Sequence, residues 1–273
     1  NSEKADILFH VGCRYSYDQD LREILHSMVK LLQVSGADFG IAGSEEACCG
    51  GRAFELGYQG EAMNYAEDVQ NRVKSSGAKT LVTACSDGYA AFKYYYPYMG
   101  KELPVEVMHF SEYLERLIDE GRLTLTRDVS MRVTYHDPCH LGRLSEPFIP
   151  WEGSRGDYGV HSPPKEFRRG TYGCYNPPRN VIRSIPGIEL VEMERIREYS
   201  WCCGAGGGVL EAYPEFASWT GAERIDEALS TGADALVTAC PWCETVFRKA
   251  VKESGSPLEV YDLTELVLQA IEK

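Results

Sequence analysis

Positive charge is what this sequence most lacks. Its 273 residues carry 28 Lys and Arg against 41 Asp and Glu, a formal net charge of −13. A nucleic-acid binder needs a basic stripe to displace counterions from phosphates, so no nucleic-acid partner is expected. Long apolar runs are missing too. Stretches such as "ALVTAC" (235 to 240) fall far short of a bilayer span, which argues against direct membrane insertion. No signal-peptide pattern opens the chain. It starts at Asn1 rather than a methionine, as a processed chain or a piece of a longer one would.

Cysteine, by contrast, is abundant, with ten residues. Secreted disulfide scaffolds are usually shorter and loop-rich, whereas this chain alternates strand-like and helical patterns. A long, cysteine-rich chain without an export signal is expected in the cytoplasm, the periphery of a membrane complex included. Thiolates bind metal in that reducing setting. At 44% hydrophobic residues the chain has enough apolar material for a sizeable core, and its length suits one large domain or two modest ones.

The sequence repeats itself. "KTLVTACSDGYAAFKYYYP" (79 to 97) matches "DALVTACPWCETVFRKAV" (234 to 251), and "LPVEVMHFSEYLERLI" (103 to 118) matches "SPLEVYDLTELVLQAI" (256 to 271). "ADILFHVGCR" (5 to 14) matches "MRVTYHDPCH" (131 to 140), and the segments "EEACCGG" (45 to 51) and "SWCCGAGGG" (200 to 208) fall between. Segments recurring in one order mark a duplication, with halves at 1–127 and 128–273. Each half reads as alternating strands and helices. Strands are expected at Ile7–Val11, Thr80–Ala84, Val105–His109, Val133–Tyr135, Glu189–Glu192, Ala235–Ala239 and Leu258–Tyr261. A helix is expected over Ser111–Glu120 with Ser111 as its N-cap, and Thr264 is read as the cap of the last one. The fold class is therefore α/β: two pseudo-repeat, Rossmann-like halves with mainly parallel sheets. The halves differ by an insertion at about 146–179, rich in Pro, Gly, aromatics and Arg. It is read as an ordered segment that covers the site or meets a partner, a variable surface loop being the alternative.

Cys13, Cys85, Cys139 and Cys240 each follow an expected strand directly. Strands of a parallel sheet end on one edge, so these cysteines should converge there, joined by the paired cysteines from loops. The second half offers Cys139, Cys202, Cys203, Cys240 and Cys243; the first offers Cys13, Cys48, Cys49 and Cys85, with Gly88 where a fifth cysteine would stand. Five thiolates are one too many for a tetrahedral zinc or a four-cysteine cluster, and adjacent cysteines more readily serve different irons. Gly204, Gly206, Gly207 and Gly208 let backbone N–H groups approach sulfur. The pattern favours an iron–sulfur site over zinc or bare thiols. Dinucleotide binding through "GAGGG" is disfavoured, because the run follows no strand and its spacing is wrong.

This arrangement, duplicated in one chain, resembles the cysteine-rich CCG domain family, whose best-known members are heterodisulfide reductase catalytic subunits. The resemblance covers the chain apart from the insertion. It implies a non-cubane 4Fe–4S cluster held by Cys139, Cys202, Cys203, Cys240 and Cys243, at which a disulfide is reduced one electron at a time. An oxidoreductase subunit of a heterodisulfide-reductase-like complex is therefore the leading expectation, with a disulfide or thiol as substrate. An electron relay is the alternative, coupled to a flavin dehydrogenase, a quinone-linked or a benzoyl-CoA-reductase-type complex. A zinc-stabilised interaction module is a third reading. No CxxCxxCxxxCP run is present, so electrons are expected from a missing N-terminal region or from a partner: a ferredoxin-like, flavin, or membrane quinone or haem subunit. With Gly88, the first half departs from the pattern; its four cysteines are possible ligands for a second iron–sulfur cluster or for zinc.

No conventional acid–base pair is required. His136, His140 and Arg143 are read as supporting groups beside Cys139. Arg14 and Arg143 are expected to be solvated or salt-bridged, holding an anionic substrate being the alternative, Asp137 to serve the turn before Pro138, and Cys174 to be a bystander. "YYYPY" (94 to 98) reads as helix-end packing.

Overall fold

The computed structural model describes residues 4–271. In the first half, β1 (Ile7–His10) leads to α1 (Cys13–Tyr17), α2 (Arg22–Val34) and β2 (Phe39–Gly40), followed by α3 (Gly51–Glu55), α4 (Gln59–Ser76) and β3 (Thr80–Thr83). A helical run, α5 (Ser86–Ala90), passes through a π turn into α6 (Tyr96–Tyr98), and β4 (Glu106–His109) and α7 (Phe110–Asp119) complete the half. All four strands are parallel, in the order β2-β1-β3-β4. Helices form where apolar residues recur at helical spacing: α2 buries Ile24, Met28, Leu31 and Leu32 on one face. α4 buries Ala62, Ala66, Val69 and Val73 and stops at left-handed Gly77.

The second half begins with β5 (Met131–Tyr135) and a hairpin of two-residue strands, β6 (Ser154–Arg155) with β7 (His161–Ser162). Then come α8 (Asn176–Ser184), β8 (Ile188–Val191), α9 (Val209–Ala212) and α10 (Pro214–Ser230). The half ends with β9 (Ala235–Thr238), α11 (Pro241–Ser254), β10 (Glu259–Asp262) and α12 (Leu263–Gln269). Its parallel sheet runs β10-β9-β5-β8, which read from the other edge is the topology of the first half. The two Rossmann-like halves inferred from repetition are thus present as two sheets of one design.

One apolar core crosses the seam. Phe9, Leu81 and Leu114 of the first half share it with Val133, Tyr135, Val237 and Leu266 of the second. α2 packs on α12, and α7 on α8. A separate cluster gathers Ile225, Leu236 and Phe247 around Cys203, Cys240 and Cys243, so those thiols belong to the packed interior.

All seven expected strands form, each within two residues of its expected ends. β2 lies outside that set; two residues with no apolar run carry no period to read. The helix caps also differ from expectation. His109, not Ser111, caps α7: its ring Nδ1 accepts the Ser111 N–H at 3.2 Å while Glu112 accepts the His109 N–H at 2.8 Å. Asp262, not Thr264, caps α12, with Thr264 as donor. Either pair is the reciprocal capping box, shifted by the strand ending directly on the helix.

Asp262 generates a pH prediction. Burial lifts its carboxyl from the usual 3.8 to about 7, although hydrogen bonds from Thr264 oppose the rise. The folded chain then holds a proton that the unfolded chain releases, so stability should fall as pH rises from about 4 to about 7 and level off above. Asp262→Asn keeps a capping oxygen and cannot ionise. Urea midpoints across that window should slope less in the variant; an unchanged slope would refute the assignment.

Candidate metal centre

The sheet edge does bring the cysteines together. Cys240 is the N-cap of α11 directly after β9, Cys243 lies in its first turn, and Cys139 sits in the turn after β5. Cys202 and Cys203 arrive from the loop before α9. The sulfurs of Cys203 and Cys243 lie with a His136 ring nitrogen inside a 4.8 Å span. Cys139, Cys202, Cys203, Cys240 and Cys243 perturb one another's ionisation, Cys202 through Cys139 and Cys203, and Cys243 through Cys203 and Cys240. Cys139, Cys203, Cys240 and Cys243 together line one small pocket. The Cys202 thiol is pulled far below its usual value, first by its bond with Cys139, then by Cys203 and the Gly204 N–H, against the effect of burial.

Backbone geometry explains the glycine after the pair. Gly204 has φ +91, and its N–H donates to Cys202 Sγ at 3.3 Å. A Cβ there would fall 2.8 Å from the Ala217 carbonyl oxygen. Only glycine meets both demands. The same contact recurs in the first half, where the Gly50 N–H donates to Cys48 Sγ at 3.4 Å.

The turn carrying Cys139 is braced by buried charge. Asp137 takes a bidentate bond from Arg179 at 2.6 and 2.7 Å and accepts the Arg197 N–H at 2.7 Å. Arg179 also bonds Glu192 at 2.7 Å. Removing one partner of such a buried pair costs about 3–5 kcal/mol. Asp137 is therefore half of a buried ion pair rather than a simple turn residue, and no local pattern marks its partner, 42 positions away.

His136 is buried beside the thiols: one of its ring nitrogens lies with Cys203 Sγ and Cys243 Sγ inside a 4.8 Å span. His140 holds a different place. Its Nδ1 is 3.3 Å from Cys139 Sγ and 3.2 Å from Asp87, and its Nε2 bonds Glu55. Burial would lower its pKa, but the Asp87 and Glu55 carboxylates override that and raise it to about 9. Both acids come from the first half, so the incomplete copy supplies the electrostatics of the complete one.

An apolar cleft of about 600 Å³ opens beside Cys139 and Cys202. Leu144, Trp201, Val209, Phe216 and Trp219 wall it, and His140, Glu55 and Arg143 reach its lining. Arg143 donates to the Ser200 and Glu198 carbonyls at 2.7 and 3.2 Å rather than to a carboxylate. Arg14, by contrast, pairs with Asp18 and lies 4.3 Å from the Trp242 ring centre. The insertion contributes no residue to this cleft among the described residues. It is anchored instead on the segment after Cys139, through Arg168 to the Leu144 carbonyl at 2.7 Å, and on Tyr94, over which Arg168 stacks at 3.3 Å. The expectation of a cover is corrected to that of a clamp.

The first half repeats the arrangement with four thiols. Cys13 and Cys48 are exposed, Cys49 is partly buried and Cys85 is buried. A Cβ on Gly88 would lie 3.9 Å from Cys49 Cβ, so the missing thiol would stand beside Cys49. The two groups abut across the seam, where Cys85 and Cys240 feel each other's charge and Ser86 donates to the Ala239 carbonyl at 3.0 Å. Cys174 lies elsewhere, beside Ser111 and Glu112. "YYYPY" packs as expected: Tyr95 stacks on Phe54 at 4.3 Å, and the Tyr96 hydroxyl donates to the Cys49 carbonyl.

Two exposed thiols should differ sharply in the metal-free protein. The hydrogen bond from Cys49 lowers Cys48 to about 6, helped by the Gly50 N–H against burial. Burial raises Cys13, with the charges of Cys48 and Asp87 adding to it. Iodoacetamide at pH 7 should therefore label Cys48 well before Cys13, read by peptide mass spectrometry. Equal rates would contradict the contrast.

Comparison with known proteins agrees with this geometry. A family model described as "Cysteine-rich domain" (CCG) matches residues 7–93 and 165–248. One component of the dihydromethanophenazine:CoB–CoM heterodisulfide reductase of Methanosarcina acetivorans is 33% identical over 274 residues, covering 99% of this chain and 60% of that protein. EtfAB:quinone oxidoreductase of Syntrophomonas wolfei is 30% identical, covering 100% of this chain and 35% of that protein. One component of the fumarate reductase (CoM/CoB) of Methanothermobacter marburgensis is 30% identical, covering 95% of this chain and 45% of that protein. This chain thus spans 60% or less of the length of these relatives. A hypothetical protein from Helicobacter pylori shares the fold, with a TM-score of 0.62 at 12% identity, over 99% of this chain and 50% of that one. By sequence and by the arrangement of its paired cysteines, the chain belongs to the cysteine-rich CCG domain family.

Proposed function

We propose that this chain is an iron–sulfur oxidoreductase module of a larger redox assembly, with Cys139, Cys202, Cys203, Cys240 and Cys243 holding a non-cubane 4Fe–4S cluster, and that it reduces a disulfide in the adjoining cleft. One observation carries the reading: Cys139, Cys203, Cys240 and Cys243 line one small pocket, and Cys139 with Cys202 lines the apolar cleft beside it. The donor set fits the group. Five sulfurs exceed what a tetrahedral zinc takes, and a backbone N–H is already aimed at one of them. When bound, such a cluster supplies single electrons and a Lewis-acidic iron.

The chain's own residues supply the rest. Cleaving a disulfide to two thiols takes two electrons and two protons. His140, kept protonated by Glu55 and Asp87, places an N–H donor beside Cys139 at the cleft. Aromatic walls exclude water and bind an apolar body. Arg143, free of a carboxylate partner among the described residues, can take an anionic group on the substrate. The four thiols of the first half form a second proposed site, for an iron–sulfur cluster or zinc. The halves 1–127 and 128–273 are proposed as its two structural units.

Electrons would come from a ferredoxin-like, flavin, quinone or haem partner. No helix among the described residues is long and apolar enough to cross a membrane. A relay is the second reading, favoured by Phe216 and Trp219, about half exposed at the cleft and well placed to meet a partner surface.

Anaerobically prepared protein should contain about four irons and four sulfides per chain from the second half, and about eight if both halves load. Cys243→Ala should abolish the second-half EPR signal, and Cys13→Ala should leave it. An added thiol should alter the signal of the oxidised protein. No turnover of any disulfide by a loaded complex would leave the relay, and colourless protein holding only zinc would overturn both redox readings.

A further inference from the structure

His136 would be read as a metal ligand on distance alone, since one of its nitrogens shares a 4.8 Å span with the sulfurs of Cys203 and Cys243. Its second nitrogen says otherwise. Nδ1 lies 3.1 Å from Nε of Arg224, a guanidinium with donors only. Nδ1 must therefore accept, and the ring proton of the neutral imidazole is on Nε2. A histidine that ligates metal through one nitrogen ordinarily donates its other N–H to a carboxylate or carbonyl; here that place is taken by a group with no lone pair to offer.

Arg224 is locked in this pose. It is fully buried and bonds Glu227 at 2.6 Å, the Arg195 carbonyl at 3.0 Å and Ser200 Oγ at 3.1 Å. Phe247 holds the imidazole edge-on, with ring centres 4.7 Å apart. Nε2 itself is buried with no hydrogen-bond partner. A buried N–H left unsatisfied is costly, and the Cys203 and Cys243 sulfurs lie within 4.8 Å of a ring nitrogen, near the imidazole although not hydrogen-bonded to Nε2.

The duplication provides an internal control. His10 occupies the equivalent place, edge-on to Phe92 at 5.1 Å. Ala62 and Ala217 each back the glycine after a paired-cysteine motif, and seven residues on stand Val69 and Arg224. The half that lacks a fifth cysteine thus also lacks the arginine, and His10 Nδ1 faces the Glu46 carboxylate instead, at 3.9 Å.

We infer that Arg224 fixes His136 as an Nε2–H donor to sulfur at the Cys203–Cys243 end of the centre, so that His136 tunes the cluster and does not ligate it. This rests on the cluster assignment proposed for the second half. Hydrogen bonds to sulfur stabilise the more reduced, more negative state, so they raise the reduction potential. His136 is thus a tuning residue and Arg224 the residue that positions it.

Three readouts test this. In metal-free protein, nitrogen-15 NMR should show His136 protonated at Nε2 and bare at Nδ1; the reverse tautomer would overturn the inference. In loaded protein, the second-half cluster of His136→Leu should titrate at a more negative potential than wild type, and His136→Gln, which keeps an N–H donor, should recover part of the shift. Circular dichroism establishes that each variant is folded. An unchanged potential in folded, loaded His136→Leu would sink the proposal, as would strong direct nitrogen coupling to iron in wild type by pulsed EPR with labelled histidine. Loss of the cluster from that variant would also count against it, by making His136 a ligand. Absence of any cluster from the wild-type chain would instead refute the assignment on which this rests, while the NMR result would still decide the tautomer.

Discussion

Everything at this centre depends on one property of parallel sheets: their strands all end on the same edge. β5 and β9 are hydrogen-bonded neighbours, so residues placed just beyond each are neighbours too. That is how Cys139 and Cys240, about a hundred positions apart, come to share one site with a paired-cysteine loop. The loop has to enter without side-chain bulk, which is why Gly204 adopts a left-handed conformation against α10. Cys243 follows from helix geometry, one turn after Cys240 on the inward face of α11.

Duplication doubles this edge and then lets the copies diverge. Opposed across the seam, the two thiol groups are close enough for Cys85 and Cys240 to interact. The incomplete copy has not become inert. Position 87, where the complete copy has Trp242, holds an aspartate that reaches His140, and Glu55 from α3 reaches the other side of the same ring. Trp242 in turn lies between Arg14 and Arg52, with guanidinium-to-ring distances of 4.3 and 4.0 Å. Each half thereby furnishes parts of the other's surroundings, and neither edge is complete alone.

Much of this is legible in the sequence. Strand positions follow from short apolar runs, the sheet design from repetition, and the convergence of cysteines from their place after strands. Family resemblance supplies the proposed ligand set, and four of those five residues line one small pocket. What cannot be read are partners chosen in three dimensions. Arg224 and Arg179 look like ordinary helical arginines in sequence, yet both are fully buried, one against His136 and the other against Asp137. His109 as a cap follows from a strand running straight into a helix, a geometry with no local composition signal. The insertion has no period to read, and only contacts can show that it clamps the Cys139 segment and leaves the cleft open.

The proposed ligand set places an iron–sulfur cluster among the second-half thiols. An anaerobic crystal structure with anomalous data collected on both sides of the iron edge tests it most directly. Iron-edge peaks are expected among the sulfurs of Cys139, Cys202, Cys203, Cys240 and Cys243, with His136 outside the coordination sphere. A single zinc-edge peak there, or none at the iron edge, would contradict it.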